Sequence, residues 1–215
     1  MTTENPTDHF DEISEKDSTS IFKPKVPALL LTQSDQHGPN IMTAAWWMVA
    51  GYNPFRFQVA VSHKTYTYEI VEANPEFVMA APTAEMIDAL TLAGKVSGRD
   101  LDKIDHLGLE TIPGKDVDVP LLKNAVGNIE CSVLDSFEFE NCTYYFGTVE
   151  NAYVVPGGLD GRILSLDSDV LAYMGSDWVD EDAETKHRFY ADMADGSLES
   201  FPGEQIMQML PQWEE

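Results

Sequence analysis

Two long stretches rich in β-branched and aromatic residues, 125–139 and 143–155, are separated only by Glu140-Asn141-Cys142, with the polar turn at Glu140-Asn141, and no other feature constrains the chain as much. That composition on both sides of a short polar turn predicts a long antiparallel hairpin. Shorter segments of the same kind precede it. Residues 28–32 are an apolar run, Asp35-Gln36-His37-Gly38-Pro39-Asn40 is turn chemistry, and residues 41–47 resume as apolar, which predicts a second hairpin. Asn53-Pro54 breaks the chain again before a third strand over 55–61, and a fourth is predicted over 76–80, ended by Pro82. Tyr66, Ile70 and Ala73 have helical spacing and stop before Asn74-Pro75; Met86, Leu90 and Ala93 mark one face of a helix that Gly94 ends. Short, turn-punctuated strands with helices between them predict an α+β chain, mainly β, whose antiparallel sheet closes on itself and leaves sites at its open ends and between subunits.

Thirty-seven Asp and Glu against thirteen Lys and Arg give a formal net charge of -24 and a pI near 4.3. Such a coat repels nucleic-acid phosphates and anionic membrane surfaces, so neither is an expected partner. With 43% hydrophobic residues there is apolar material for one core, which makes the acidity a surface property. An acid-rich, Lys-poor coat is tolerable at high salt, because the Debye length shrinks to about 3 Å near 1 M. A halophilic cytosol is the expected setting, with an ordinary acidic protein as the alternative. Residues 1–20 lack the basic start and apolar run of a signal peptide, and no segment reaches the roughly 18 apolar residues of a membrane helix. A cytoplasmic location follows as the expectation. Cys131 and Cys142 lie on adjacent predicted strands without zinc-site spacing, so a reduced, metal-free protein is expected.

The chain divides into a loose acidic tail over residues 1–20, a barrel domain over 21–155, and an acidic extension over 156–215 that is expected to pack on the barrel or on a dimer. The extension follows Pro156-Gly157-Gly158 and has only Arg162, Lys186 and Arg188 as cations. Residues 94–120 form a loop-rich stretch too long to be a mere connector, and loops of that length are functional or disordered.

In so anionic a chain, clustered cations and hydroxyls mark a place for an anion. Ser97-Gly98-Arg99, followed by Asp102 and Lys103, combines hydroxyl, flexible backbone and cation. Arg can clamp a phosphate through two N–H bonds while Lys acts as a point charge; the alternative is that Arg99 and Lys103 pair with Asp100, Asp102 or Asp105. Ser62, Lys64, Thr65 and Thr67 bracket the turn into the first helix, where unpaired backbone N–H groups favour an anion, or where a hydroxyl simply caps the helix. Thr43-Ala44-Ala45-Trp46 ends a strand with small residues that let a flat ring approach the backbone, or that merely accommodate a neighbouring side chain. Nucleotide hydrolysis, a Rossmann domain and acyl transfer find no supporting motif.

These pieces occur in a definite order. Leu30-Leu31-Thr32 with its turn, Met42-Thr43 through Trp46-Trp47, and Ser62-His63-Lys64-Thr65-Tyr66-Thr67-Tyr68-Glu69-Ile70 leading to Glu76-Phe77-Val78 come first. Ser97-Gly98-Arg99-Asp100-Leu101-Asp102-Lys103 and Ile129-Glu130-Cys131 before Phe146-Gly147-Thr148-Val149 complete the set. The arrangement resembles the flavin reductase-like family of FMN-binding split barrels, flavoredoxin included. The resemblance spans roughly residues 26–155. It implies a split β-barrel homodimer that binds FMN near the subunit interface, with NADH or NADPH as electron donor. Carried onto this chain, it assigns Thr43, Ala44, Ala45 and Trp46 to the flavin ring, and Ser62, Lys64, Thr65, Thr67, Ser97, Gly98, Arg99 and Lys103 to the phosphate side. No catalytic residue is assigned, because the cofactor carries the redox chemistry. Two departures stand out: Ala93-Gly94 replaces the Cys-Gly of many relatives, and Cys142 lies where relatives often have a histidine. An FMN-binding electron carrier without its own nicotinamide site is therefore the alternative.

Overall fold

The computed structural model describes residues 11–160 and, as backbone, 163–164, 171–178, 186–192 and 198–202. The first hairpin is β1 (Ala28–Ser34) and β2 (His37–Ala44), followed by β3 (Trp47–Tyr52) and β4 (Phe55–Ser62). Helix α1 (Tyr66–Ala73) leads to β5 (Glu76–Ala81), and a 3-10 turn at Ala84–Met86 runs into α2 (Ile87–Ala93). A short α3 (Lys103–His106), the two-residue strands β6 (Thr111–Ile112) and β7 (Leu121–Leu122), and the long pair β8 (Gly127–Phe139) and β9 (Cys142–Val154) complete the barrel region. Beyond it, Leu171–Trp178, Lys186–Asp192 and Leu198–Pro202 form a separate three-stranded antiparallel sheet. The acidic extension's remaining residues, and residues 1–10 of the tail, lie outside the described part; Glu15–Phe22 forms a 3-10 helix.

Seven antiparallel strands make one sheet in the order β2-β1-β5-β8-β9-β4-β3. The end strands β2 and β3 are joined in the chain by Ala45-Trp46 alone, so the sheet must curl until its two ends lie side by side. Among the described residues no ladder pairs β2 with β3. The expected closure is therefore that of a split barrel, made by a covalent link rather than by strand pairing.

Successive strand residues face opposite sides of a sheet, and here both sides are covered. Leu29 and Leu31 of β1 join Val78 and Ala80 of β5 against α2 and the segment 117–125. Leu30 joins Phe77, Met79, Val59, Val61, Cys131 and Tyr145 in the barrel interior. Burial on both faces explains why 28–32 and 76–80 read as continuous apolar runs rather than alternations. Inside the barrel, Gly147 of β9 is required by packing: a Cβ there would lie 2.5 Å from the Phe77 ring and 2.9 Å from Cys131 Cβ.

The predicted long hairpin is β8–β9, turning at Glu140-Asn141, with bulges at Glu130/Cys131 and Val133/Asp135 that strengthen its twist. Two expectations differ from the structure. The first turn is tighter than its composition suggested, so β2 starts at His37. The apolar run 41–47 is not one strand: it breaks at Ala45-Trp46, and Trp47 opens β3, making 55–61 the fourth strand. No Gly, Pro or charge marks that break, so hydrophobic patterning carries no sign of it. Trp47 turns inward, donating Nε1–H to Val26 O at 3.0 Å and packing on Phe57, whereas Trp46 is 66% exposed.

The long stretch 94–120 is anchored rather than loose. The fully buried carboxylate of Glu130 accepts the backbone N–H of Lys115 at 3.0 Å and of Asp116 at 2.7 Å. Glu76 accepts the N–H of Asp118 at 2.7 Å. Two acids on adjacent strands thus pin residues 115–118 against the barrel.

Candidate functional site

Three segments meet at one polar cleft of about 300 Å3: the second half of β2 (Asn40, Met42, Thr43), the β4–α1 turn (Lys64 to Thr67), and residues 93–98 with Lys103. The local sequence dictates each wall. Thr65 is the N-cap of α1, its Oγ1 accepting Tyr68 N–H at 3.3 Å, and the N–H groups before Tyr68 have no partner within the helix. Asp102 caps α3 by accepting the N–H groups of Ile104 and Asp105, both at 3.1 Å, and so seats Lys103 at the first helical position. Gly98 packs so closely that a Cβ would lie 2.2 Å from Asn40 Oδ1 and 2.7 Å from the Tyr66 ring. The loop can approach β2 and α1 only because that side chain is missing.

Lys103 is the electrostatic centre of the cleft. It is 4% exposed, donates Nζ–H to Val96 O at 3.1 Å, and burial pushes its ammonium down to about 8 from the usual 10.5. None of the ion pairs among the described residues involves Lys103 or Lys64. A buried ammonium facing a cavity without a carboxylate calls for an anion, since burial of an unpaired charge is costly. Hydroxyl residues share its cleft: Thr65, Thr67 and Ser97 are in the same lining. Asn40 donates Nδ2–H to Thr67 Oγ1 at 3.0 Å, while its buried Oδ1 has no hydrogen-bond partner. Thr43 donates its hydroxyl to Leu90 O, tying β2 to α2. Neither a carboxylate nor an imidazole lines the cleft.

Of the twelve residues singled out in the sequence, Thr43, Lys64, Thr65, Thr67, Ser97, Gly98 and Lys103 line this one cleft. Ala44 is buried in the barrel interior, Ala45 is half-buried and Trp46 is exposed; none of the three lines the cleft. Ser62 holds the turn from outside, its backbone C=O accepting the N–H and hydroxyl of Thr65. Arg99 stands outside the lining: its guanidinium donates to Glu69 Oε1 at 2.6 Å and to the carbonyls of Lys64 and Thr65 at 3.3 and 3.4 Å. Pairing with Glu69 was not among its anticipated partners, because residues 30 apart in sequence give no sign of meeting. Asn40 and Tyr66 are contributors that motif reading passed over; a polar residue at the start of an apolar run was the available signal for Asn40. A second cavity of about 320 Å3, lined by Val26, Trp47, Phe57, Met79, Ile129 and Tyr153 among others, is almost wholly apolar and has no cation in its lining.

The donor set fits a phosphate-bearing flavin: Lys64, Lys95 and Lys103, the hydroxyls of Thr67 and Ser97, a helix N-terminus, and a β2 edge where a ring can lie. Comparisons with known proteins agree in kind. The flavin reductase like domain matches residues 24–177. An uncharacterized protein of Archaeoglobus fulgidus is 34% identical over 111 residues, which cover 52% of this chain and 63% of that protein. The match therefore spans less than two thirds of that relative's length. Among solved structures, flavoredoxin of Desulfovibrio vulgaris (Miyazaki F) superposes with a TM-score of 0.63 at 22% identity, covering 83% of this chain and 87% of its own. The FMN-binding protein from Thermus thermophilus gives a TM-score of 0.65 at 23% identity, covering 77% and 90%. The structural likenesses establish the split-barrel fold, and the domain match, which takes in every barrel strand and the whole cleft, shows that the chain belongs to the flavin reductase-like family.

Proposed function

We propose that the protein is a homodimeric FMN-binding oxidoreductase that reduces flavin with NADH or NADPH. The observation that carries this reading is Lys103, a buried ammonium with no acidic partner, opening onto a hydroxyl-lined cleft in a molecule of net charge -24. Lys64 and Lys103 would hold the phosphate by charge, Thr67 and Ser97 by hydroxyl donation, and Gly98 by letting the loop close on it, while the Thr65 hydroxyl stays committed to Ser62 O and caps α1. Thr43, Ala44 and Ala45 would border the ring along β2, with Trp46 as an apolar wall. When bound, FMN supplies the two-electron redox chemistry, so the protein's own task is to bind, orient and shield. The absence of carboxylate and imidazole from the lining accords with a site that handles no protein-borne proton. Exposed Trp46, Met48, Phe137 and Phe139 offer apolar surface for a second subunit, which would cover the ring.

A second reading, a flavin-binding electron carrier without a nicotinamide site, draws support from Cys142. It opens β9 where relatives often place histidine, and no imidazole lines the cleft. The two readings part in one experiment. The purified protein, reconstituted with FMN, is mixed anaerobically with NADH and then NADPH while the flavin absorbance is followed. Rapid bleaching by either supports the reductase, bleaching by neither supports the carrier, and failure to retain any FMN refutes both.

A further inference from the structure

The loop 97–101 has little of its own to hold it. Its internal bonds are the N–H groups of Asp100 and Leu101 to Ser97 O, at 3.1 and 3.2 Å, and Arg99 N–H to Ser97 Oγ at 3.2 Å. What ties it to the opposite wall of the cleft is the Arg99 side chain. One face of the guanidinium lies 5.4 Å from the Tyr66 ring centre, and its N–H groups reach Glu69 Oε1, Lys64 O and Thr65 O. Tyr66 in turn meets His37 of β2, with Nδ1 and the phenol oxygen 3.1 Å apart and the rings edge to face. The Arg99 hydrogen bond also holds the Glu69 carboxyl below its usual range. Every hydrogen bond and ring contact of the guanidinium is thus made with α1 or its N-terminal turn, and the residue is absent from the cleft lining.

We propose that Arg99 is a positioning residue: it straps the 97–101 loop to the first turn of α1 and so sets the gap between Ser97-Gly98 and Lys64-Thr65, without itself touching the bound anion. The inference rests on the reading that a flavin phosphate occupies this gap. Two alternatives for Arg99 predict opposite signs. Were Arg99 a phosphate ligand held in reserve by Glu69, removing the Glu69 charge would free it and tighten FMN. As a strap it loses its strongest anchor, and FMN weakens.

FMN and riboflavin are titrated into the full-length protein and into Glu69→Gln, Arg99→Ala, the double variant and Lys103→Ala, with melting temperatures measured in parallel. The strap predicts that Glu69→Gln weakens FMN about three- to fivefold, the range of an exposed ion pair. Arg99→Ala weakens it about tenfold, through loss of charge-assisted bonds to carboxylate and carbonyls. The double variant is no weaker than Arg99→Ala alone, because both changes cut one connection. Riboflavin affinity and melting temperature stay unchanged in Glu69→Gln, Arg99→Ala and the double variant. Tighter or unaltered FMN binding in Glu69→Gln overturns the proposal in favour of a direct ligand. Equal losses for riboflavin and FMN, with a lowered melting temperature, overturn it in favour of a general folding role. If Lys103→Ala leaves FMN affinity intact, the phosphate reading itself fails, a result separable from the Glu69 outcome.

Discussion

Burial holds the Lys103 ammonium near 8 rather than 10.5, and a phosphate dianion beside it would draw it back toward the ordinary value. In a band above about pH 8 the lysine is then neutral in the free protein and charged in the complex. Binding takes up a proton there, so FMN affinity falls as pH rises, with Kd growing by up to about tenfold per pH unit. The full span from about 8 to 10.5 corresponds to about 3 kcal/mol, which bounds the loss at roughly 300-fold. The phosphate is not the titrating partner, since its second ionisation lies near pH 6. The assay is FMN titration at fixed ionic strength from about pH 7 to about pH 9.5, with riboflavin, which lacks the phosphate, as reference. Lys64 and Lys95 share the cleft, and Asp102 and Asp105 flank the lysine on α3; Lys103→Arg, which keeps its charge throughout, isolates the one group from these neighbours. A flat profile for FMN, an equal slope for riboflavin, or a slope that survives in Lys103→Arg would refute the reasoning. In the unliganded protein the sign is opposite. The unfolded chain keeps this proton to about 10.5 while the folded one releases it near 8, so stability contributed by Lys103 rises with pH across that window.

Gly147→Ala would drive a methyl into the Phe77 ring and should destabilise the barrel by about 1–3 kcal/mol in urea unfolding, with Phe77→Leu in the same chain restoring part of the loss. Thr65→Ala removes the α1 cap and should cost about 1 kcal/mol, read as a lowered urea midpoint at unchanged slope. Glu130→Gln places an amide against the two N–H donors of Lys115 and Asp116; a loss of roughly 1–3 kcal/mol and faster proteolysis within residues 113–120 are the expected result. If the acidic coat is an adaptation to salt, the melting temperature should climb steadily from low to molar KCl, and a profile that levels off above about 0.2 M would speak for an ordinary acidic protein.

The elements legible in the sequence are those whose ends carry chemistry. Helix α1 lies over 66–73 as read, because Thr65 caps it and Asn74-Pro75 ends it, though its buried residues are Thr67, Ile70 and Val71, a face turned from the one expected. The β8–β9 hairpin was written in β-branched composition and a polar turn. Strand β3 was not: Met48 and Val49 are exposed, so no in-and-out alternation separates it from β2. At the cleft, residue types forecast a gathering of hydroxyls and cations, and seven of those named do converge. The direction in which Arg99 turns depends on Glu69, one helical turn into α1, and the anchoring of 115–118 depends on acids in β5 and β8. Both are pairings across the fold, invisible to local pattern.

The seam between β2 and β3 has a further consequence. Since β2 pairs on one side only, part of its main chain faces the split with donors and acceptors that no neighbouring strand consumes. A planar heterocycle laid along that margin can be read by peptide groups alone, whatever the side chains happen to be. Recognition written into the main chain tolerates drift in amino-acid identity, so a ligand held on that margin would keep its register when the side chains around it are substituted.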